Sequence, residues 1–198
     1  MKRADILVAG VGGQGTLLAS NILAEVGLRA GYDVKKSDVL GLAVRGGSVL
    51  SHVRWGDDVA SPVVRTGRMN YLLAFEPLEA LRGLPLMHPD ARALCNAQPI
   101  IPISVSSGQL EYPTEKTIAA SLRDAVRTVN LIDATRTAMD LGNPRVTNVV
   151  MLGAFSMFFE VDPGLWSDIV LANVPKKHAD LNAAAFRAGR ALLGKEES

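Results

Sequence analysis

Along most of this chain, short apolar runs alternate with stretches in which apolar residues recur at helical spacing. Ile6, Leu7, Val8 and Ala9 form a continuous apolar run of the kind seen in a strand buried on both faces. Beyond the glycines that follow, Ala19, Ile22, Leu23, Val26 and Ala30 fall on one helical face, and Gly31 with Asp33 closes the segment. A second strand is predicted over 34–39 and a glycine-rich loop over 41–47. From 48 to 55, Val49, Ser51 and Val53 alternate with Leu50, His52 and Arg54. Gly56-Asp57-Asp58 reads as a tight turn into a further strand over 59–64. Such a hairpin joins antiparallel strands, so the sheet is expected to be mixed.

Further along, 70–75 reads as a short buried strand and Pro77 as the first residue of a helix, where a missing N–H costs least. Strand pieces are predicted over 94–97 and 100–105, with Pro99 and Pro102 favouring an edge or a bend. Thr114 is placed to cap a helix through Ala125, 129–132 is another strand, and Asp133 opens a loop. From Val146 the pattern is helical only. An apolar segment over 149–159 is hydrophobic all round, which predicts burial in the domain or against another chain, and helices over 163–173 and 177–193 follow. Together these elements predict an α/β fold, a three-layer α/β/α sandwich with a mixed, mainly parallel sheet and C-terminal helices. A length of 198 residues suits one core, so a single domain over 1–198 is expected.

Composition narrows the function. A net charge of +1 gives no long-range field for nucleic acid or anionic lipid, and Lys35-Lys36 and Lys176-Lys177 read as solvated pairs. No apolar run approaches the roughly 20 residues of a membrane span, and Met1-Lys2-Arg3-Ala4-Asp5 leads into a strand without a signal-type segment. These features predict a cytoplasmic chain that takes no nucleic acid or membrane as partner. Cys95 is the only cysteine, so the chain can form no internal disulfide and cannot by itself supply a cysteine-ligated iron–sulfur cluster.

The strongest local signal is Gly10-Val11-Gly12-Gly13-Gln14-Gly15, set between the first strand and the first helix. In that setting glycines serve a phosphate-binding turn: Gly10 and Gly12 are expected to take turn angles closed to other residues. Gly15 is expected to let the helix approach the strand. Free N–H groups at the helix start then face any bound anion. Tight strand-to-helix packing without a ligand explains the same glycines. Asp33 and Asp38 stand near the spacing at which a dinucleotide site places an acid.

A second loop, Arg45-Gly46-Gly47-Ser48, is expected near that turn. It suits anion contact or subunit docking, or else a surface loop whose arginine pairs with a local acid. The candidate cofactor-binding set is therefore Gly10, Gly12, Gly13, Gln14, Gly15, Arg45, Gly46, Gly47 and Ser48. Glu76 ends a strand, where open sheets put ligands, and can equally stabilise the following helix start. Thr147 and Asn148 read as helix caps. His52, His88 and His178 are scattered, and His52 reads more readily as structural than as a site residue. No G-x-S-x-G or H-E-x-x-H motif occurs, so no catalytic residue and no metal ligand is assigned.

Taken in order, several short motifs resemble the gamma subunits of the 2-oxoacid:ferredoxin oxidoreductases, and within them the indolepyruvate branch. They are Gly10 to Gly15, Arg45-Gly46-Gly47-Ser48-Val49 with Ser51-His52-Val53-Arg54, Glu76-Pro77-Leu78-Glu79-Ala80 and Gly142-Asn143-Pro144-Arg145. Asn148-Val149-Val150-Met151-Leu152-Gly153 and Pro175-Lys176-Lys177 with Asn182, Ala185 and Phe186 complete the set. The resemblance implies oxidative decarboxylation of a 2-oxoacid to an acyl-coenzyme A, with electrons passed to ferredoxin. It also implies a larger partner subunit that holds thiamine diphosphate and iron–sulfur clusters, with no cofactor bound by this chain alone. Where relatives often carry a histidine and a glutamine before Arg-Gly-Gly, this chain has Leu40 and Val44, a departure that makes that surface more apolar and implies a substrate or partner contact different from the indolepyruvate enzyme's, with an aromatic 2-oxoacid as the preferred substrate class. A free-standing dinucleotide-binding oxidoreductase and an assembly module without a ligand are the other readings of the glycine turn.

Overall fold

The computed structural model describes residues 3–41 and 46–194. The elements run β1 (Arg3–Val11), α1 (Thr16–Arg29), β2 (Asp33–Leu40), β3 (Ser48–Gly56), β4 (Met69–Ala74), α2 (Pro77–Gly83) and β5 (Met87–Asn96). Then follow α3 (Ile103–Ser106), α4 (Glu115–Ala125), β6 (Thr128–Ile132), α5 (Ala134–Asp140), α6 (Thr147–Ser156), α7 (Pro163–Ala172) and α8 (Ala179–Leu193). Among the described residues the strands form one sheet in the order β2-β3-β1-β4-β5-β6. β3 is antiparallel to both its neighbours, while β1, β4, β5 and β6 pair in parallel. The sheet is thus mixed and mainly parallel, as the patterning predicts.

Strand alternation divides the interior into two layers. Ile6 and Val8 of β1 face a core built with α1, α5, α6, α7 and α8, whereas Leu7 and Ala9 face a smaller core closed by α2 and α4. α6 lies at the centre of the larger layer. Its residues Asn148 to Ser156 are all buried, which matches an apolar segment without a polar face. Close contact of helix backbones makes this possible. A Cβ on Gly153 would stand 2.1 Å from the Phe186 carbonyl oxygen, and one on Gly189 would stand 1.9 Å from that of Val150. With α8 pressed against it, α6 buries Phe155 and Leu152 completely, each worth about 1.5–3 kcal/mol.

Several expectations are corrected. Residues 59–64 form no strand: Pro62 removes a ladder donor, Val59 N donates to Asp33 Oδ2 at 2.8 Å, and Val64 packs into the smaller core. The mixed sheet comes instead from β3 pairing with β2 and β1. Residues 100–105 form no strand either. Ile100 N donates to Glu76 Oε1 at 3.2 Å, and the short helix α3 starts at Ile103. The strand piece over 94–97 is the end of the longer β5, whose first half is hidden in the sequence by Pro89 and by a register shift against β4. Asp133 begins a helix rather than a loop. Its carboxylate accepts from Arg136 N at 2.8 Å, and Ala134 and Ala138, one turn apart, bury the same face of α5.

Candidate functional site

The carboxyl ends of the parallel strands carry a row of three hollows. The topology has its switch point here, because from β1 the chain runs out to β2 and β3 on one side and to β4 on the other. The first hollow, about 410 Å³, lies over the glycine turn and is lined by Gly12, Gly13, Gly15, Thr16, Leu17 and Leu40 among others. A second, about 290 Å³, is lined by Gly13, Gln14, Phe75, Thr135 and Arg145. The third, about 420 Å³, has Arg145, Asn148, Lys177, His178 and Asn182 in its wall and no acidic residue. Gly13 is common to the first two and Arg145 to the last two, so the hollows form one continuous surface.

Local chemistry explains the shape of the turn. Gln14 closes it: its Oε1 accepts from Val11 N at 2.8 Å and its Nε2 donates to Phe75 O at 2.9 Å, fastening the ends of β1 and β4 together. Positive φ falls on Gly13 (108°) and Gly15 (80°), which corrects the expectation that Gly10 and Gly12 hold the special angles. Gly10 belongs to β1 and is needed for space, since a Cβ there would meet Thr16 Oγ1 at 2.7 Å. Gly15 makes room for α6 rather than for a strand: its Cβ would lie 2.5 Å from Asn148 Nδ2. As N-cap of α1, Gly15 offers no side chain to the first-turn N–H groups, and the buried Thr16 hydroxyl has no hydrogen-bond partner. The helix start therefore presents unsatisfied donors to the first hollow.

The second loop does meet the turn. Gly12 N donates to Gly47 O at 2.8 Å and Gly46 N to Gly12 O at 3.3 Å. Ser48 is drawn to the other side, its hydroxyl donating to Glu79 Oε2 at 2.5 Å. Arg45 and Val44 lie outside the described residues. Of the candidate set, Gly12, Gly13 and Gly15 border the first hollow, Gln14 borders the second, Gly10, Gly46 and Gly47 shape the turn, and Ser48 is turned away to Glu79.

Other singled-out residues have structural duties. Glu76 caps α2, its Oε2 accepting from Glu79 N at 2.9 Å, while Oε1 accepts from Ile100 N and the Tyr112 hydroxyl. Burial, together with the hydrogen bond to Glu76, raises the Tyr112 phenol above its ordinary value. Burial and the Glu76 charge likewise keep the Cys95 thiol protonated, which removes it as a nucleophile. Asp38 is partly buried, which alone would raise its pKa. Hydrogen bonds from Lys36 and Ser51 outweigh burial and hold it below the usual range. His52 is buried and its pKa is lowered by desolvation, so it stays neutral near pH 7. Among the described residues no group of three or more His, Cys, Asp or Glu could hold a metal, and no helix is long and apolar enough to cross a membrane.

Residues 5–192 match the family model described as pyruvate ferredoxin/flavodoxin oxidoreductase. This chain belongs to that family. Within it, the chain is 38% identical over 192 residues to the indolepyruvate oxidoreductase subunit IorB of Thermococcus kodakarensis, covering 96% of this chain and 95% of that one. The keto/oxoacid ferredoxin oxidoreductase gamma subunit of Geobacter sulfurreducens shares the fold with a TM-score of 0.69 at 25% identity, covering 94% and 95% of the two chains. A likeness of fold also extends to the 2-oxoglutarate:ferredoxin oxidoreductase of Magnetococcus marinus, with a TM-score of 0.75 at 22% identity over 98% of this chain and 32% of that one.

Against this family background the dinucleotide reading loses its geometric basis. β1 has the antiparallel β3, not β2, at its side, and the carboxylate of Asp38 is already engaged by Lys36 and Ser51. Three residues of the carboxyl edge lie outside the set that the sequence pattern indicates. Thr16 carries no sequence signal of its own, and Arg145 and Lys177 meet only in three dimensions. Asn148, read as a cap, instead accepts from Val149 N and packs against Gly15, while Asn143 caps the 3-10 turn before α6. Arg145 and Lys177 belong to two of the motifs that carry the family resemblance, Gly142-Asn143-Pro144-Arg145 and Pro175-Lys176-Lys177, and that is the signal the sequence holds for them.

Proposed function

We propose that this chain is a cytoplasmic subunit of a thiamine diphosphate-dependent 2-oxoacid:ferredoxin oxidoreductase that converts an aryl pyruvate, such as indolepyruvate, to its acyl-coenzyme A. The observation that carries this reading is the match along nearly the whole chain to indolepyruvate oxidoreductase subunits. A larger partner holds thiamine diphosphate and the iron–sulfur clusters, and ferredoxin takes the electrons through that assembly. Thiamine, when bound there, supplies the carbanion sink for decarboxylation and the clusters supply the electron path. Cys95 is buried and unavailable as a cluster ligand, in keeping with that division of labour.

The chain's own residues shape and charge the edge that completes the site. Phosphate groups of coenzyme A fit its chemistry: orphaned donors at the start of α1, and Arg145 and Lys177 in a hollow whose wall holds no acidic residue. Leu17 and Leu40, both exposed, make the mouth beside the turn apolar, which suits an aromatic substrate or an apolar partner contact. Co-expression with the larger subunit, followed by an assay of coenzyme A-dependent ferredoxin reduction, tests the proposal. The complex is expected to prefer indolepyruvate to pyruvate by about tenfold or more in kcat/KM, a discrimination that an apolar pocket can supply. Turnover of any 2-oxoacid by the isolated chain, or failure to bind the larger subunit, would overturn it.

A further inference from the structure

A further hollow, about 610 Å³, lies at the opposite edge of the sheet, at the amino ends of the parallel strands. Its wall contains Arg3, Arg54, Arg65 and Arg68, with Asp5 and Asp90 as the acids. The surplus is two positive charges when His88 is neutral.

Two of the arginines are built in by the sheet. Asp5 and Arg54 are cross-strand partners of β1 and β3, and Asp5 is buried. One Asp5 oxygen accepts from Arg54 Nε at 2.6 Å and the other from Arg3 Nε at 2.8 Å. Holding each guanidinium by its Nε leaves both terminal nitrogens of Arg3, and one of Arg54, for another acceptor, because the second Arg54 nitrogen donates to Ser61 O. Asn70 supports the arrangement by accepting from Asp5 N at 2.7 Å.

The other two arginines sit on the loop between β3 and β4, and their side chains have no ion pair or hydrogen bond among the described residues. Four guanidiniums around one hollow, two of them anchored and two without a counter-ion, repel one another unless an anion joins them. A single carboxylate offers two acceptor oxygens, whereas a phosphate offers three or more and carries the double charge that the surplus matches.

We propose that this amino-edge hollow binds a phosphate-bearing small molecule, of the phosphate monoester or diphosphate class, through Arg3, Arg54, Arg65 and Arg68. Its size lies within the range of small-molecule sites, roughly 300–1,000 Å³. The test is calorimetric titration of inorganic pyrophosphate into the full chain in phosphate-free buffer, with succinate as the carboxylate counterpart. Saturable binding is expected, weakened by about tenfold or more in R65A/R68A, with succinate much weaker than pyrophosphate. Arg65 and Arg68 are exposed, so the variant is expected to keep its circular dichroism. Should it not fold, R65K/R68K keeps the charge and removes the fork, and it too is expected to bind pyrophosphate more weakly. No binding by the parent chain, binding indifferent to these substitutions, equal affinity for succinate, or a glutamate-rich peptide that outcompetes pyrophosphate would each overturn the assignment.

Discussion

The glycines of the turn after β1 and those at the crossing of α6 and α8 are held by opposite constraints. At the crossing, Gly153 and Gly189 have ordinary helical backbones, and the missing Cβ is wholly consumed by a carbonyl of the facing helix. At the turn, Gly13 has a φ of 108° and no heavy atom within 4 Å of where a Cβ would stand. There the freedom of glycine is conformational, and the space it leaves opens outward. Gly15 stands between the two cases, with a φ of 80° and Asn148 against it. A glycine pressed against backbone reports on packing alone, whereas a glycine with positive φ and open space lets the chain expose its N–H groups to something outside it.

Substitution sharpens this contrast, and the largest effect belongs to the crossing. Gly189→Ala sets a methyl against the backbone of α6, so a loss of about 3 kcal/mol or more is expected in urea unfolding, at the upper end of overpacking costs. A loss under about 1 kcal/mol would mean that the helices separate freely and would break the comparison. Gly15→Ala is expected to lose about 1–2 kcal/mol to its φ alone, plus a steric part from Asn148. Adding Asn148→Ala is expected to recover the steric part and leave the rest. Full recovery in the double variant would show that φ carries no strain at this position.

Gly13→Ala comes next, with about 1–2 kcal/mol of strain from its φ and no neighbour to displace. Its larger consequence is expected in affinity for the larger subunit or for coenzyme A, measured by calorimetry. Unchanged affinity would make this turn a packing device like the crossing.

The smallest effect is set by acid. His52 sits on β3, the strand that carries Ser48 and borders the turn, and its folded pKa lies below the ordinary 6.5 because burial disfavours the cation. The unfolded chain then binds the extra proton more readily, so stability is complete above pH 6.5 and falls as pH drops below it. His52→Gln is expected to flatten that acid-side decline in Tm. An unchanged slope would assign it to other groups.

Much of this architecture is legible in the sequence because periodicity reports burial directly. The fully apolar run of β1, the one-sided pattern of α1 and the all-round apolarity of α6 each predict the layer in which the element sits. Glu76 before Pro77 could also be read, since an acid followed by proline at a helix start has a local reason. Where the pattern misleads, a distant partner is responsible. Val59, Val63 and Val64 resemble a strand, yet residues 59–64 make a loop tied to Asp33 and packed on the smaller core. α5 hides among threonines because its stability comes from Asp133 and from burying Ala134 and Ala138, not from propensity.

By itself, the order of apolar and polar residues determined that this chain makes strands and helices in alternation, with a glycine turn leading into the first helix. Those features depend on neighbours a few residues apart. Only the tertiary structure decided that β3 lies antiparallel between β2 and β1, that Gly15 makes room for Asn148, and that Arg145 and Lys177 share a hollow. It also decided that Asp5 holds two arginines at the far edge of the sheet. Strand order, close approach and shared charge join residues far apart in the sequence, and the short-range periodicity of a chain carries no record of which distant segments will meet.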